Sequence, residues 1–65
     1  MYNKSSLTQR ESEIVDLLIQ GFTNKEIAEK LSISFHTVKA HLEHIFERFG
    51  VHNRIELCVR ILLNK

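Results

Sequence analysis

The sequence has no proline, no tryptophan, two glycines and a single cysteine. The absence of proline and the scarcity of glycine disfavour a loop-rich or β-rich fold, so we expect an all-α domain. Cys58 has no partner for an internal disulfide, which indicates a reducing compartment such as the cytoplasm. The polar N-terminus lacks the apolar segment of a signal peptide. No apolar run approaches the about 20 residues of a membrane-spanning helix, so we expect no contact with membranes.

The sequence also has little net charge. Nine lysines and arginines oppose eight acidic residues, which gives a formal charge of +1. Domains that bind nucleic acids usually have a larger basic excess. Bulk charge therefore does not predict a nucleic-acid partner, and any such prediction depends on where the charges lie. At 65 residues the chain forms a single small domain of modest stability.

Hydrophobic periodicity predicts a compact four-helix domain, with helices at about residues 8–20, 24–31, 35–49 and 54–63. A side chain that can accept from free backbone N–H groups precedes each helix: Thr8, Thr23, Ser34 and Asn53. A glutamate three residues after three of these caps predicts capping boxes. Glu11, Glu13 and Asp16 lie early in the first helix and are expected to form a solvated acidic face. Residues 1–6 are expected to be a flexible arm or the end of a linker.

The third predicted helix has two different faces. Its apolar residues recur with a helical period and predict a buried stripe: Val38, Leu42, Ile45, Phe46 and Phe49. The opposite face carries His36, Lys39, Ala40, Glu43 and Glu47, which suits a surface that contacts another molecule. A short helix, a brief turn and a longer helix presented in this way predict a helix-turn-helix at about residues 23–42.

The fourth predicted helix is almost entirely apolar, since only Glu56 and Arg60 interrupt it. A terminal helix of so small a domain cannot hide all its faces in its own core, and exposed apolar strips usually mark interfaces. We therefore predict a homodimer through this helix. The predicted interface residues are Leu57, Cys58, Ile61 and Leu62. The alternative is that another part of a longer chain covers the strip.

Four stretches resemble a known family in order and spacing: L-T-Q-R-E at 7–11, G-F-T-N-K-E-I-A-E-K-L-S-I-S at 21–34, T-V-K-A-H-L at 37–42 and G-V-H-N-R-I-E-L at 50–57. They are similar to the LuxR-type, or GerE-like, helix-turn-helix domain found at the C-terminus of NarL/FixJ-type response regulators. The resemblance covers residues 7–65, nearly the whole chain. It implies sequence-specific binding of double-stranded DNA in a bacterial two-component system. It further implies that the third helix enters the major groove and that the fourth, at about 54–63, dimerises.

The resemblance also implies which residues contact DNA. Positions matching Lys39, Ala40 and Glu43 face base edges, and positions matching Asn24, Lys25, Thr37 and Lys39 lie near phosphates. Residue chemistry is compatible, because a lysine serves a phosphate or a guanine edge and an alanine packs on a thymine methyl group. We add two residues from the start of the third helix, where free N–H groups favour an anion. The predicted contacts are Asn24, Lys25, Ser34, His36, Thr37, Lys39, Ala40 and Glu43.

Two of these contacts leave alternatives open. Glu43 departs from the lysine or polar residue that is frequent in the family, so it either accepts from a cytosine amino group or repels phosphate. His36 either donates to DNA or is solvated.

We expect no metal, no cofactor, no small-molecule ligand and no enzymatic activity. His41 and His44 have a spacing compatible with metal binding, but no cysteine pair or carboxylate set completes a site. Cys58 lies in an apolar helix that does not activate a thiol. There is no glycine-rich phosphate loop, and so short a chain has little room for a pocket.

The expected partners are an operator with two half-sites, a second copy of the chain and RNA polymerase as a further candidate, in the bacterial cytoplasm and on the nucleoid when bound. Two other functions are compatible with the sequence. One is a promoter-binding and polymerase-binding module like sigma-factor region 4, whose L-T-x-R-E and T-V-K runs are similar. The fourth helix after Gly50 disfavours it. The other is a helix-turn-helix used only for protein contacts, which the near-neutral charge leaves open.

Overall fold

The computed structural model describes residues 7–63, and the predicted arm at residues 1–6 lies outside this range. Within it the chain forms helices α1 (Gln9–Ile19), α2 (Asn24–Leu31), α3 (Phe35–Phe49) and α4 (Arg54–Leu63). No β-strand occurs in the described part of the chain. The all-α prediction is confirmed, and only α1 is one residue shorter at each end than predicted. None of the helices between residues 7 and 63 combines the length and the apolar character that crossing a bilayer requires.

Side-chain caps determine where α1 and α2 begin. Thr8 Oγ1 accepts from the Glu11 N–H at 3.1 Å, and the Glu11 carboxylate accepts from the Thr8 N–H at 3.0 Å. Thr23 and Glu26 repeat both bonds, at 3.1 and 2.8 Å. These bonds satisfy N–H groups that have no partner within the helix, and each cap contributes about 1 kcal/mol. Of the three predicted capping boxes, those of α1 and α2 are confirmed.

The start of α4 differs from a capping box by one bond. Asn53 Oδ1 accepts from the Glu56 N–H at 2.9 Å, as predicted. The Glu56 carboxylate, however, accepts from the N–H of His52 at 3.0 Å, one residue before the cap. The side chains of Asn53 and Glu56 therefore close the turn before α4.

Gly50 ends α3 with φ +69°, a conformation that L-residues adopt at a cost. Its N–H donates to the Glu47 carbonyl, and the Val51 N–H donates to the Phe46 carbonyl at 3.0 Å. These are the two bonds of a Schellman motif, which directs the chain away from α3 toward α4.

We expect Gly50→Ala to lower the free energy of unfolding by about 1 kcal/mol, because the penalty is limited to the backbone. A Cβ at this position would meet no atom within 4 Å. Thermal unfolding followed by circular dichroism should show a midpoint lower by about 4–8 °C. Ser32, with φ +57°, is the reciprocal control, since Ser32→Gly should not lower the midpoint. An unchanged midpoint for Gly50→Ala would contradict the expectation.

Buried apolar residues from all four helices, with Val51 from the α3–α4 connection, form one core around α3. They are Ile14, Val15, Leu18, Ile27, Ala28, Val38, Leu42, Ile45, Phe49, Val51, Leu57 and Ile61. The predicted stripe of α3 is confirmed, although Phe46 is only partly buried at its edge. With one face packed on the other helices, α3 cannot rotate about its axis without exposing this stripe. Its opposite face therefore has a fixed direction.

A partly buried ion pair joins α1 to the C-terminal half of α3. Only 5% of Glu11 is exposed. Arg48 Nη1 bonds Glu11 Oε1, and Nη2 donates to Oε2 at 2.9 Å. The bond from Arg48 is the largest of the effects that lower the pKa of Glu11, and the Thr8 N–H adds to it while burial opposes them. The prediction that Glu11 belongs to a solvated acidic face is wrong, because Glu11 is buried. The sequence gives no local sign of this, since Arg48 lies 37 residues away.

Candidate nucleic-acid interface

The connection between α2 and α3 is three residues long and tightly closed. Ser32 ends α2 in the left-handed conformation, and the N–H of Ile33 donates to the Ala28 carbonyl at 3.0 Å. Ser34 then caps α3, since its Oγ accepts from the Thr37 N–H at 3.0 Å. The partly buried Ile33 packs against the core, so the turn is held on its inner side. α2 and α3 therefore form the predicted helix-turn-helix.

The outward face of α3 lies on the surface, as its sequence predicts. Seven of the eight predicted contact residues are exposed, and Asn24 is half-buried. The exposed residues are Lys25, Ser34, His36, Thr37, Lys39, Ala40 and Glu43. These positions are compatible with contact to a large partner, but the contacts themselves stay a prediction.

The hydroxyl groups at the start of α3 form a pair. Ser34 Oγ and Thr37 Oγ1 are 2.8 Å apart, and either one can be the donor. Whichever hydroxyl donates within the pair, the other keeps a proton that it can offer outward. An O–H donor beside the free N–H groups of a helix start suits an anionic oxygen.

Several grooves flank the outward face of α3, and two of them contain more than one predicted contact residue. One, of about 340 Å³, is lined by polar and apolar residues of three elements: Asn24, Lys39, Leu42, Glu43, Phe46, His52, Asn53 and Arg54. The other is lined by His36, Thr37, Ala40, His41 and His44, all from α3. Asn24 and Lys39 thus line the same groove, although 15 positions separate them in the chain. Lys25 lines neither groove.

The structure shows two residues at this surface that sequence reasoning missed. Phe35, the first residue of α3, is exposed, and its ring lies 5.9 Å from Lys39 Nζ. Its position three residues before Val38 continues the apolar stripe, so periodicity alone assigns it to the core. Arg54 donates to the side chain of Asn24 across 30 residues of sequence, a contact for which the sequence carries no local signal.

Within residues 7–63, no cluster of three or more histidine, cysteine, aspartate or glutamate side chains has the geometry to hold a metal ion. His41 is half-buried beside the core, and His44 is exposed.

The position of α4 corrects two of the predicted interface residues. Leu57 and Ile61 are 0% and 6% exposed and belong to the core, so they cannot offer a surface to a second copy. They are one helical turn apart on the face that packs against α1 and α3, and Cys58 at the edge of this face is partly buried. Leu62 is 47% exposed, as the predicted interface requires. The exposed apolar strip of α4 consists of Ile55, Val59, Leu62 and Leu63.

Comparison with known proteins agrees with this architecture. A family model described as "Bacterial regulatory proteins, luxR family" matches residues 5–61. The protein named oxygen regulatory protein NreC, from Staphylococcus aureus strains JH9 and JH1, is 46% identical over 59 residues, which are 91% of this chain. The chain spans 27% of the length of these curated relatives. The family is one of regulatory proteins with a DNA-binding helix-turn-helix and not a class of enzymes. Since the family model covers most of the chain and the predicted helix-turn-helix is in place, this protein belongs to the luxR family of bacterial regulatory proteins.

Proposed function

We propose that this chain binds specific sequences of double-stranded DNA, with α3 in the major groove. One observation carries the proposal: the inner stripe of α3 is held in the core, while its outward face from His36 to Glu43 is exposed. A helix fixed by one face and exposed by the other can enter a groove without first reorganising. Because the net charge of the chain is only +1, we expect its affinity for DNA to depend on where each lysine lies.

The predicted contacts have distinct roles in this proposal. Lys39, Ala40 and Glu43 approach base edges, and the Ala40 methyl group leaves room for a thymine. Asn24, Lys25 and Thr37 approach phosphates and set the register of the domain on the duplex. The remaining two contacts, Ser34 and His36, lie at the start of α3, where N–H groups and the helix dipole attract a phosphate.

The exposed strip of Ile55, Val59, Leu62 and Leu63 on α4 is the proposed interface between two copies. Val59, Leu62 and Leu63 follow Ile55 at offsets of four, seven and eight, so the four residues lie on one face of α4. A two-fold dimer through this face would present two copies of α3 to DNA, which requires two half-sites arranged as an inverted repeat. Because both copies bind the same duplex, the overall affinity is then much higher than that of either domain alone.

We further propose that the chain is the output domain of a response regulator. The NreC proteins that it resembles are longer, and this chain matches 27% of their length. A receiver or sensing domain elsewhere in such a protein would supply the signal, and RNA polymerase is a candidate partner of the bound regulator on the bacterial nucleoid. The family match and the fourth helix disfavour the alternative of a sigma-factor region.

Replacing Lys39 with alanine tests the proposal directly. We expect affinity for a duplex selected from a random-sequence library to fall about tenfold at moderate salt, because a contact to a phosphate or guanine is lost. If the contact is to a phosphate, the slope of log affinity against log salt should also become shallower by about 1. Both quantities can be measured by fluorescence anisotropy.

Lys30→Ala is the matched control, since it removes the same charge from α2. Lys30 Nζ lies 4.5 Å from the centre of the Phe22 ring and is not among the predicted contacts. We expect its effect to be less than about twofold. Equal affinities for the wild type and Lys39→Ala would remove Lys39 from the interface. Binding to no duplex, at any salt concentration, would favour a helix-turn-helix used for protein contacts.

A further inference from the structure

The guanidinium group of Arg54, in the first turn of α4, reaches back to the start of α2. Its Nη2 donates to the backbone carbonyl of Phe22 at 2.7 Å, and its Nη1 donates to Asn24 Oδ1 at 3.2 Å. Both bonds are partly buried. An arginine side chain has donors and no acceptor, so only the oxygen of the Asn24 amide can face it. The NH₂ group of Asn24 therefore points away from Arg54.

The orientation of this amide matters because of where Asn24 lies. Asn24 is the first residue of α2 and lines the same groove as Lys39, beside the outward face of α3. With its oxygen held by Arg54, the amide can offer only N–H donors to a ligand at this groove. The reverse orientation would direct a partial negative charge at an anionic ligand. A donor-only amide near a lysine ammonium group suits a phosphate oxygen.

We infer that Arg54 is a positioning residue for DNA binding, which holds the NH₂ group of Asn24 toward one phosphate of the duplex. The inference rests on the proposed function and assigns to Arg54 a role that acts through Asn24. It also joins two parts of the domain. Because Arg54 belongs to α4, the helix proposed for dimerisation is tied to the end of α2 that contacts the DNA backbone.

A double-mutant cycle tests the inference on the duplex selected by the wild-type chain. Asn24→Ala should weaken binding about tenfold, the effect of losing one hydrogen bond to a charged group. Arg54→Ala should weaken binding to a similar extent, because the amide is no longer oriented. If Arg54 acts through Asn24, the double variant should also be about tenfold weaker, whereas independent effects would multiply to about a hundredfold.

Arg60→Ala is the matched control. Arg60 is also an arginine of α4 that donates to a backbone carbonyl, that of Phe49 at 2.9 Å, and it does not line the groove. Its replacement removes the same charge from the same helix. We expect less than about a twofold change in DNA affinity, even if stability falls.

Neutralising single phosphates as methylphosphonates gives a readout that a purely structural role would not change. We expect that neutralising one particular phosphate weakens DNA binding by the wild-type chain. The same methylphosphonate should not change the DNA affinity of Asn24→Ala or of Arg54→Ala. All affinities are measured at a temperature at which circular dichroism shows each variant to be folded. If Arg54→Ala does not fold, Arg54→Lys replaces it in the cycle, since a single ammonium group cannot serve both carbonyls with the fork geometry of arginine.

Two results would overturn the inference and leave the proposed function intact. One is a double variant whose affinity falls by the product of the two single effects. The other is an Arg54→Ala variant whose binding is weakened by neutralising that phosphate as much as wild-type binding is. If the wild-type chain selects no duplex at all, the proposed function and this inference both fail.

Discussion

We expect Ile61→Asp to unfold the domain, whereas the same replacement at the next residue, Leu62, leaves it folded. Ile61 is 6% exposed and packs in the core beside Leu57. An aspartate there buries a charge with no opposite charge to compensate it, at a cost of several kcal/mol. A domain of this size has a total stability of only about 5 kcal/mol, so this cost is sufficient to unfold it.

Leu62→Asp should instead weaken self-association. Leu62 is about half exposed and lies in the strip that we propose as the dimer interface, so the aspartate remains solvated in the monomer and is buried without a partner in the dimer. Helix content by circular dichroism should stay near that of the wild type. Sedimentation velocity should show a shift toward the monomer, and affinity for a duplex with two half-sites should fall.

Leu63 gives a second test of the strip, because it is exposed and follows Val59 by one helical turn on the same face of α4. We expect Leu63→Asp to leave the stability nearly unchanged and to weaken self-association, as Leu62→Asp does. A folded Ile61→Asp with a wild-type unfolding midpoint would show that α4 packs through another face. Unchanged self-association in Leu62→Asp would exclude the strip as the interface.

Replacing Arg48 with alanine should lower the free energy of unfolding by about 2–3 kcal/mol. The two partners differ in exposure, because the Arg48 side chain is partly exposed and the Glu11 carboxylate is buried. Removing the arginine therefore leaves a buried charge without its main hydrogen-bond donor. Without Arg48, the ionised Glu11 keeps its bond from the Thr8 N–H but loses the two hydrogen bonds from the guanidinium group. The value lies below that for a fully buried pair because water can partly replace the arginine.

Arg10→Ala provides the comparison, because it removes an arginine from an ion pair that lies wholly within α1. Arg10 pairs with Glu13 at 3.2 Å, and both side chains are about two-fifths exposed. Such surface pairs contribute about 0–0.5 kcal/mol, so urea unfolding should separate the two variants clearly. Equal losses for Arg48→Ala and Arg10→Ala would mean that the α1–α3 ion pair behaves as a surface pair.

The same ion pair predicts a pH dependence. The pKa of Glu11 is lower in the folded domain than in the unfolded chain, chiefly because Arg48 donates to its carboxylate. As the pH falls, Glu11 therefore takes up a proton in the unfolded state before it does so in the folded state. The contribution of this pair to stability is fully present at pH values above the ordinary pKa of a glutamate. It is lost as the pH falls below that range toward the lowered pKa. In Arg48→Ala, the free energy of unfolding should depend less steeply on pH in this acid window.

The local features of this domain could be predicted from the sequence, because the groups that produce them are at most four residues apart. The capping boxes of Thr8 with Glu11 and of Thr23 with Glu26 each consist of two bonds over three residues. The inner and outer faces of α3 follow from its period of apolar residues, since only one face of that helix is apolar. The helix-turn-helix and most of its exposed surface therefore follow from residue types and their spacing, whereas the exposure of Phe35 does not.

The tertiary structure alone decided how the helices meet. An almost wholly apolar helix such as α4 has no polar face to indicate its orientation. The buried Leu57 and Ile61 therefore differ from the exposed strip of Ile55, Val59, Leu62 and Leu63 only in what packs against them. The partners of Arg48 and Arg54 lie 37 and 30 residues away in the chain, beyond the reach of any local pattern. Sequence determined the elements through short-range hydrogen bonds and periodicity, whereas long-range packing determined which charged groups became buried and which apolar surface stayed exposed.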